Sequence, residues 1–457
     1  MKISLVYPSS VQPLISGFFH PPLGLAYIAA VLREAGHVVN IIDLNFCVNW
    51  KQLEAELSKA KPDAVGISCM TTMMSDALKV AELVKRSLNC PVILGGPHPT
   101  ILPEDTLLNE NVDYVVEGEG EITMGELIHN LEERKNVKTV SGVWYKEDGI
   151  IKRTNPRSHI ENLDQIPFPA RDLLSKEYFR YGYADVIASR GCPFNCSFCQ
   201  PTLRRLFGPK VRFRSPANIV NEMEYLKQTI KIKHVKFVDD TFGINRHWIS
   251  ELCLEMKKKS LDLTWDCNSR VNIVSKDLLL MMKKAGCTKI SFGVESGSQE
   301  ILDFLNKGTT IQQILNAFRI CKEVGVRTHA YLMIGSPGET EKTITETKSL
   351  INKINPDEIY ISITTPLPKT KLYDDLVEKG LVTAKTWEDF DYYKKCLIKL
   401  ENLAPSEILE MRRRITRNFW LRKILQPTYI ISTIKMYPSF RLWGQRLKLV
   451  KQLLSGG

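Results

Sequence analysis

Three cysteines lie close together in a loop-like stretch in the middle of the chain. Cys192, Cys196 and Cys199 have the spacing C-x3-C-x2-C and follow a short apolar run that ends at Ala188. Thiolates at this spacing can converge on one metal centre, and a structural zinc site would normally need a fourth ligand. A cubane iron–sulfur cluster held by three cysteines instead leaves one iron open for a further ligand. Three unrelated core cysteines, or zinc completed from a distant part of the chain, are the alternatives.

The spacing, with Phe198 directly before the last cysteine, resembles the radical S-adenosylmethionine (SAM) family. The resemblance implies that the three cysteines bind a [4Fe–4S] cluster, whose open iron chelates the amino and carboxylate groups of SAM. An electron from the cluster would cleave SAM to a 5′-deoxyadenosyl radical. An electron donor such as flavodoxin or ferredoxin is implied as a partner.

Strand and helix patterns alternate regularly around and beyond the cysteines. This alternation predicts a partial (β/α)6 TIM-type barrel, in which the chemistry lies at the carboxyl ends of the strands. The predicted strands cover residues 184–189, 234–238, 264–269, 289–294, 328–334 and 358–364.

Polar or glycine-rich motifs follow these predicted strands, and the resemblance assigns them to SAM. Asp239 belongs to a turn near the SAM amino group, and Arg270 suits the SAM carboxylate because a guanidinium matches a carboxylate bidentately. Glu295 is expected to accept hydrogen bonds from the ribose hydroxyls. Gly335 begins a glycine-rich turn whose backbone can approach the adenine closely.

The first 135 or so residues also alternate strand and helix patterns, which predicts a doubly wound, Rossmann-like α/β domain. The turn that contains Ser68 and Thr71 resembles the Ser-x-Leu motif of cobalamin (B12)-binding domains, with Met in the Leu position. Gly95 and Gly96 resemble the paired glycines that let the nucleotide tail of cobalamin pass close to the backbone. The resemblance therefore implies cobalamin as a further cofactor.

Other polar residues of this domain carry weaker expectations. The loop over residues 9–20 lacks the Asp-x-His-x-x-Gly motif, so the sequence offers no lower axial ligand to cobalt. His98 is predicted to be structural. The acidic run from Glu117 to Glu121 either borders the ligand or caps the next helix, and capping is the default prediction because acidic residues near a helix N-terminus favour its dipole.

The chain of 457 residues is long enough for several domains with cores of their own. We predict a B12-binding domain over 1–139, a linker over 140–178, a radical SAM core over 179–402 and a basic helical region over 403–457. Eleven cysteines without a recognisable signal peptide favour a cytoplasmic location.

The net charge of +11 belongs to the C-terminal region, since residues 411–457 contain eleven Lys or Arg and no Asp or Glu. Its apolar and aromatic residues predict either a helical cap with cations facing water or a peripheral contact with an anionic membrane surface. No recognised nucleic-acid module accompanies the charge, so nucleic acid is not predicted as a partner.

The domain order and the Gly-Val-Glu-Ser-Gly motif at 293–297 resemble cobalamin-dependent radical SAM methyltransferases and the anaerobic magnesium-protoporphyrin ester cyclase group. The leading hypothesis is methyl transfer to an unactivated carbon of a small-molecule or lipid-like substrate. A cyclase or rearrangement enzyme with the same cofactors is the alternative. A non-catalytic cobalamin or redox sensor is the alternative of another class.

Overall fold

The computed structural model describes residues 1–8, 20–47, 49–426 and 429. These residues form a seven-stranded sheet in the N-terminal third and a six-stranded parallel sheet in the remainder, with a separate two-stranded hairpin. Residues 9–19 of the loop without the Asp-x-His-x-x-Gly motif, and the tail beyond residue 429, lie outside the described residues.

Five parallel strands form the centre of the N-terminal sheet, in the order β2-β1-β3-β4-β5. Their short apolar runs are buried from both sides, as parallel strands covered by helices require. The order reverses between β1 and β3, and doubly wound sheets bind ligands at such a switch point. The strands are β1 (Lys2–Tyr7), β2 (Val38–Asp43), β3 (Ala64–Ser68), β4 (Val92–Gly95) and β5 (Tyr114–Val116).

Helices cover both faces of this sheet, which confirms the predicted doubly wound architecture. The first and last helices pack on one face, and the second and third pack on the other. The helices are α1 (Leu23–Glu34), α2 (Trp50–Ala60), α3 (Met74–Ser87), α4 (Pro97–Ile101), α5 (Pro103–Leu108) and α6 (Gly120–Glu132).

Two antiparallel strands, β6 (Val143–Glu147) and β7 (Ile150–Arg153), extend the sheet beyond β5. Their residues fall in the stretch predicted to be a linker, so part of that stretch belongs to the N-terminal sheet. Asp148 and Gly149 join the strands with φ of 52° and 74°. Two positive φ angles in a two-residue loop are typical of a type I′ hairpin, for which Asp-Gly is a preferred sequence.

The second sheet curls into an open half-barrel, which confirms the predicted partial barrel. Its parallel order is β15-β14-β13-β12-β11-β8, and a small hairpin of β9 and β10 follows β8. The strands are β8 (Tyr183–Val186), β9 (Ser189–Arg190), β10 (Arg212–Phe213), β11 (His234–Phe237), β12 (Thr264–Ser269), β13 (Cys287–Glu295), β14 (Arg327–Ile334) and β15 (Glu358–Ile363).

Amphipathic helices cover the convex side of the half-barrel and bury the apolar residues that alternate along its strands. Side-chain caps begin most of them, including a capping box in which Thr310 and Gln313 bond reciprocally. The helices are α7 (Thr202–Phe207), α8 (Pro216–Thr229), α9 (Arg246–Lys258), α10 (Lys276–Lys284), α11 (Gln299–Phe304), α12 (Ile311–Val324), α13 (Glu341–Ile354) and α14 (Lys371–Glu378).

The basic C-terminal region begins with helix α15 (Pro405–Ile424), which packs against β15. Ile408, Met411, Ile415 and Phe419 form its buried stripe. This part of the region is therefore a helical cap on the barrel. Among the described residues, no helix combines the length and apolar composition needed to cross a membrane.

Candidate active site

The three predicted cluster cysteines lie on one loop, residues 191–211, which we call the cysteine loop. The β9–β10 hairpin closes its base, with Arg190 directly opposite Arg212. Gly191 opens the loop at φ 96°, and a Cβ there would lie 2.8 Å from the carbonyl oxygen of Lys210. Glycine is needed at this position because the two ends of the loop approach so closely.

Hydrogen bonds fasten the cysteine loop to neighbouring loops at the carboxyl edge of the barrel. The Ser197 amide donates to the carbonyl of Leu305 at 3.0 Å, and its own carbonyl accepts from the Leu372 amide at 2.9 Å. The side-chain amide of Asn306 donates to the carbonyl of Asn195 at 2.7 Å. The barrel therefore holds the cysteines at the edge where the chemistry of such folds takes place.

The thiols of Cys192 and Cys196 are close enough to the Cys199 thiol to influence it electrostatically. The Cys192 sulfur is 3.4 Å from Thr241 Oγ1, and the Cys196 sulfur accepts from the Arg270 guanidinium at 3.4 Å. Burial raises the pKa of Cys199 to about 12, with smaller contributions from a neighbouring carboxylate and from the other two thiols. Buried thiols become thiolates when a metal supplies the compensating charge.

Soft thiolate donors on one loop suit an iron–sulfur cluster. In the part of the chain that the structure describes, no group of three or more His, Cys, Asp or Glu side chains is arranged to hold a single metal ion. The ligation of a cluster by Cys192, Cys196 and Cys199 therefore stays a prediction.

Arg270, at the end of β12, reaches into the cysteine loop. Its guanidinium carbon lies 3.6 Å from the centroid of the Phe194 ring, and its Nε donates to Asn272 at 3.3 Å. A further hydrogen bond joins it to the carbonyl of Lys307. This buried cation lies beside the Cys196 sulfur, which is the neighbourhood expected of a group that binds the SAM carboxylate. The contact with SAM itself stays a prediction.

Asp239, two residues after the end of β11, supports the strand that leads into the cysteine loop. Its carboxylate accepts from the Ser189 hydroxyl at 2.5 Å and from the Ala188 amide at 3.2 Å. Burial raises the pKa of Asp239 to about 7. These contacts place Asp239 at the base of the loop, and its predicted contact with the SAM amino group stays a prediction.

Glu295, at the end of β13, forms a buried ion pair with Lys307. The Lys307 ammonium is 2.6 Å from Glu295 Oε1 and 5.8 Å from the centroid of the Phe198 ring. Glu295 has a φ of 63°, a conformation that residues other than glycine rarely adopt and that is concentrated at functional sites. The pair lies beside the cysteine loop, and the expected contact of Glu295 with ribose stays a prediction.

The turn after β14 is organised by Glu339. Its carboxylate accepts from the backbone amides of Gly335 and Ser336, the latter at 2.9 Å. Burial raises the pKa of Glu339 to about 7, and its Oε1 has no hydrogen-bond partner among the described residues. A Cβ at Gly335 would lie 3.3 Å from Ile408 of α15 and 3.6 Å from the Cys396 sulfur. The predicted approach of Gly335 to adenine is untested.

The four predicted cobalamin residues lie together at the carboxyl ends of β3 and β4. Ser68 and Gly95 are paired across the two strands. Gly96 has a φ of 91°, and a Cβ there would lie 2.7 Å from the Ser68 hydroxyl and 3.1 Å from the Cys69 backbone. Glycine at 96 is therefore required by both conformation and space, and Thr71 follows in the same turn.

His98 lies buried beneath this turn, and its predicted structural role agrees with its surroundings. Its Nδ1 is 3.2 Å from the Thr71 hydroxyl. The Trp387 ring meets the imidazole edge to face at 4.6 Å, and Phe390 packs against Trp387 at 5.7 Å. Burial lowers the pKa of His98 to about 4. The two aromatic residues come from the segment after the barrel, which sequence patterns did not assign to this site.

The acidic run after β5 was predicted by default to cap α6, and Glu119 does lie at the N-cap position of that helix. Its side chain, however, makes no capping hydrogen bond there. It instead forms buried ion pairs with Arg190 and Arg212 at the base of the cysteine loop, at 2.7 and 2.8 Å. The carboxyl edge of the N-terminal sheet therefore contacts the carboxyl edge of the barrel.

Comparisons with known proteins agree with this two-part architecture. The family model of the B12 binding domain matches residues 15–128, and that of the radical SAM superfamily matches residues 186–351. A solved structure of the radical SAM methyltransferase TsrM from Kitasatospora setae, with cobalamin and a [4Fe–4S] cluster bound, superposes with a TM-score of 0.75 at 18% identity. The superposition covers 93% of this chain and 89% of that chain, and it supports the fold.

Two curated relatives match almost the whole chain. An uncharacterized methyltransferase of Pyrococcus horikoshii is 35% identical, over 96% of this chain and 96% of the relative. An anaerobic magnesium-protoporphyrin IX monomethyl ester cyclase of Rubrivivax gelatinosus is 29% identical, over 93% of this chain and 78% of the relative. The cofactors of this architecture are a [4Fe–4S] cluster, SAM and cobalamin. The chain belongs to the family of radical SAM enzymes that carry an N-terminal B12-binding domain.

Proposed function

We propose that the protein transfers a methyl group to an unactivated carbon of its substrate. The observation that carries this proposal is the contact between the two carboxyl edges, made by Glu119 with Arg190 and Arg212. It brings the predicted cobalamin residues and the cysteine loop to the same side of the molecule. When bound, the cluster and SAM supply the radical that removes hydrogen, and cobalamin supplies the methyl group.

On the barrel side, the residues hold and orient groups of known charge. Cys192, Cys196 and Cys199 would hold the cluster. Arg270 carries the charge and the planar fork that bind a carboxylate such as that of SAM. The Glu295 carboxylate would accept from ribose hydroxyls, and the ion pair with Lys307 would hold it in place.

On the N-terminal side, the residues suit a large ligand bound mainly through the backbone. Gly95 and Gly96 leave room for the nucleotide tail of cobalamin, because neither has a side chain above the turn. The hydroxyls of Ser68 and Thr71 would donate hydrogen bonds to it. No residue charge is needed for these contacts.

The proposal also covers the substrate, the electron donor and a contact with the membrane surface. A small-molecule or lipid-like substrate would enter between the two edges, and flavodoxin or ferredoxin would supply electrons. The cations of the C-terminal region, including those on the outer face of α15, would draw the protein to an anionic membrane surface from the cytoplasm. Binding to vesicles with and without anionic lipid tests this last point.

Two other functions make different products. A cyclase, which the relative from Rubrivivax gelatinosus supports, would form 5′-deoxyadenosine without passing the methyl group of SAM to its product. A cobalamin or redox sensor would form neither 5′-deoxyadenosine nor S-adenosylhomocysteine. The products therefore separate the three functions.

The test is an anaerobic reconstitution with iron, sulfide and hydroxocobalamin, followed by SAM and a strong reductant. Methyl transfer predicts 5′-deoxyadenosine together with S-adenosylhomocysteine, and the latter should disappear when cobalamin is left out. SAM with a deuterated methyl group would then mark the product in a substrate screen. S-adenosylhomocysteine that does not depend on cobalamin would contradict the proposal.

A further inference from the structure

One carboxylate ties the two ends of the cysteine loop to the N-terminal domain. Glu119 Oε1 accepts from Arg190 at 2.7 Å, and Glu119 Oε2 accepts from Arg212 at 2.8 Å. These arginines face each other in the β9–β10 hairpin, directly before and after the cysteine loop. A shift of Glu119 would therefore move both ends of the loop together.

Further contacts fix the orientation of this carboxylate and its partners. Glu121 accepts from Arg190 at 2.5 Å, and the Tyr27 ring lies 5.6 Å from the Arg190 guanidinium. The Ile160 amide donates to Glu119 Oε2 at 2.8 Å. The two carboxylates and two guanidiniums balance in charge, and each residue is less than a tenth exposed.

The energetics of these four buried, ion-paired side chains indicate that they fix the geometry of the contact rather than add to its stability. Burying four charges costs much of the energy that the ion pairs return, and apolar residues of similar size often stabilise a fold as well or better. Guanidinium–carboxylate pairs do, however, fix both distance and angle. An apolar contact would be enough to hold the N-terminal domain against the barrel, so the buried ion pairs point to a requirement for a fixed distance and angle.

We infer that Glu119 is a positioning residue that sets the cysteine loop at a defined distance from the cobalamin residues. This inference rests on the proposed function, because methyl transfer needs both cofactors to reach one substrate. Glu121 supports the same contact through Arg190 alone. Loss of Glu119 is expected to loosen the cysteine loop and to uncouple radical formation from methyl transfer.

The test compares Glu119→Gln with Glu117→Gln in the reconstituted full-length protein. Glu117 is a matched control, because it lies in the same acidic run and pairs with Arg153 and Trp144 of its own domain. Hydrogen exchange is the first measurement. The amides of residues 191–211 should exchange about tenfold faster or more in Glu119→Gln than in Glu117→Gln, while barrel strands β12 to β14 stay unchanged.

The second measurement is the ratio of 5′-deoxyadenosine to S-adenosylhomocysteine, at equal iron and cobalamin content. Positioning predicts that this ratio rises in Glu119→Gln and stays at the wild-type value in Glu117→Gln. Unchanged exchange in the loop, or faster exchange throughout the barrel, would overturn the inference. If Glu119→Gln does not fold, Glu121→Gln removes only one contact and should show the same changes at smaller size.

These outcomes separate the inference from the proposed function. If wild type forms no cobalamin-dependent S-adenosylhomocysteine, the proposed function fails, and the exchange data still decide whether Glu119 positions the loop. If wild type forms it and Glu119→Gln matches wild type in both measurements, only the positioning role is refuted.

Discussion

The carboxyl edges of the two sheets are built from different chemistry. At the barrel edge, charged side chains surround the cysteine loop, among them Arg270, the Glu295–Lys307 pair and Asp239. At the N-terminal edge, glycines and hydroxyls line the turns after β3 and β4, where His98 is buried with a pKa lowered to about 4. The charged residues of that edge follow β5 instead, where Glu119 contacts the barrel. The surroundings of the cysteine loop are therefore organised by charge, and the predicted cobalamin turns by the shape of the backbone.

The difference follows from what each edge is expected to bind. SAM carries an ammonium, a carboxylate and a sulfonium, so fixed charges on the protein can orient it. Cobalamin is large, and its tail is held best where backbone and ring surfaces approach it closely. At the N-terminal edge, Trp387 from the segment after the barrel packs against His98, and Phe390 packs against Trp387. Residues that follow the barrel strands in the sequence therefore help to build the predicted cobalamin site as well.

The largest effect is expected from the cysteines, and it should be confined to the barrel edge. Cys192→Ala would remove one of the three predicted cluster ligands, so cluster absorbance and 5′-deoxyadenosine should be lost while bound cobalamin is retained. Cys253→Ala is the matched control, because Cys253 is a buried core residue of α9. Loss of cobalamin from Cys192→Ala would show that the two edges are not separate sites.

Gly96→Ala should damage the N-terminal edge alone. The new Cβ would meet the Ser68 hydroxyl at 2.7 Å in a backbone conformation with φ 91°. Strain and overpacking of this kind cost about 2–4 kcal/mol, so cobalamin affinity should fall while cluster content is kept. Gly24→Ala, in α1 with nothing within 4 Å of the new atom, should leave both cofactors bound.

Arg270→Lys tests whether charge alone is enough at the barrel edge. Lysine keeps the positive charge but loses the planar fork and the stacking on Phe194. SAM affinity is expected to fall about tenfold, as judged from the change that SAM causes in the cluster's electron paramagnetic resonance spectrum, with iron content unchanged. An unaltered affinity would mean that another residue binds the carboxylate.

Sequence patterns predicted the strands of both sheets well, because these are local signals. Apolar runs gave the two sheets, and the spacing of three cysteines indicated their loop. Glu119 was assigned to a helix cap because its true partners lie 71 and 93 residues further along the chain. Trp387 was missed for the same reason. The Asp148–Gly149 hairpin did leave a local signal, a dipeptide typical of type I′ turns, and it could have been predicted.

The smallest effect, and the one that contrasts the edges most directly, is the pH dependence of stability. The pKa of His98 falls to about 4 in the fold, so unfolding takes up a proton between pH 4 and 6.5, and stability rises with pH there. The pKa of Glu339 rises to about 7, so the fold holds an extra proton between pH 4.5 and 7, and stability falls as pH rises.

Each slope is at most about 1.4 kcal/mol per pH unit, and each should vanish when its group cannot titrate. Urea unfolding of cluster-free wild type, His98→Gln and Glu339→Gln across pH 4.5–7 measures both. The stability of wild type relative to His98→Gln should increase with pH, whereas that of wild type relative to Glu339→Gln should decrease. Two slopes of the same sign would contradict the contrast, because both edges would then respond to protons alike.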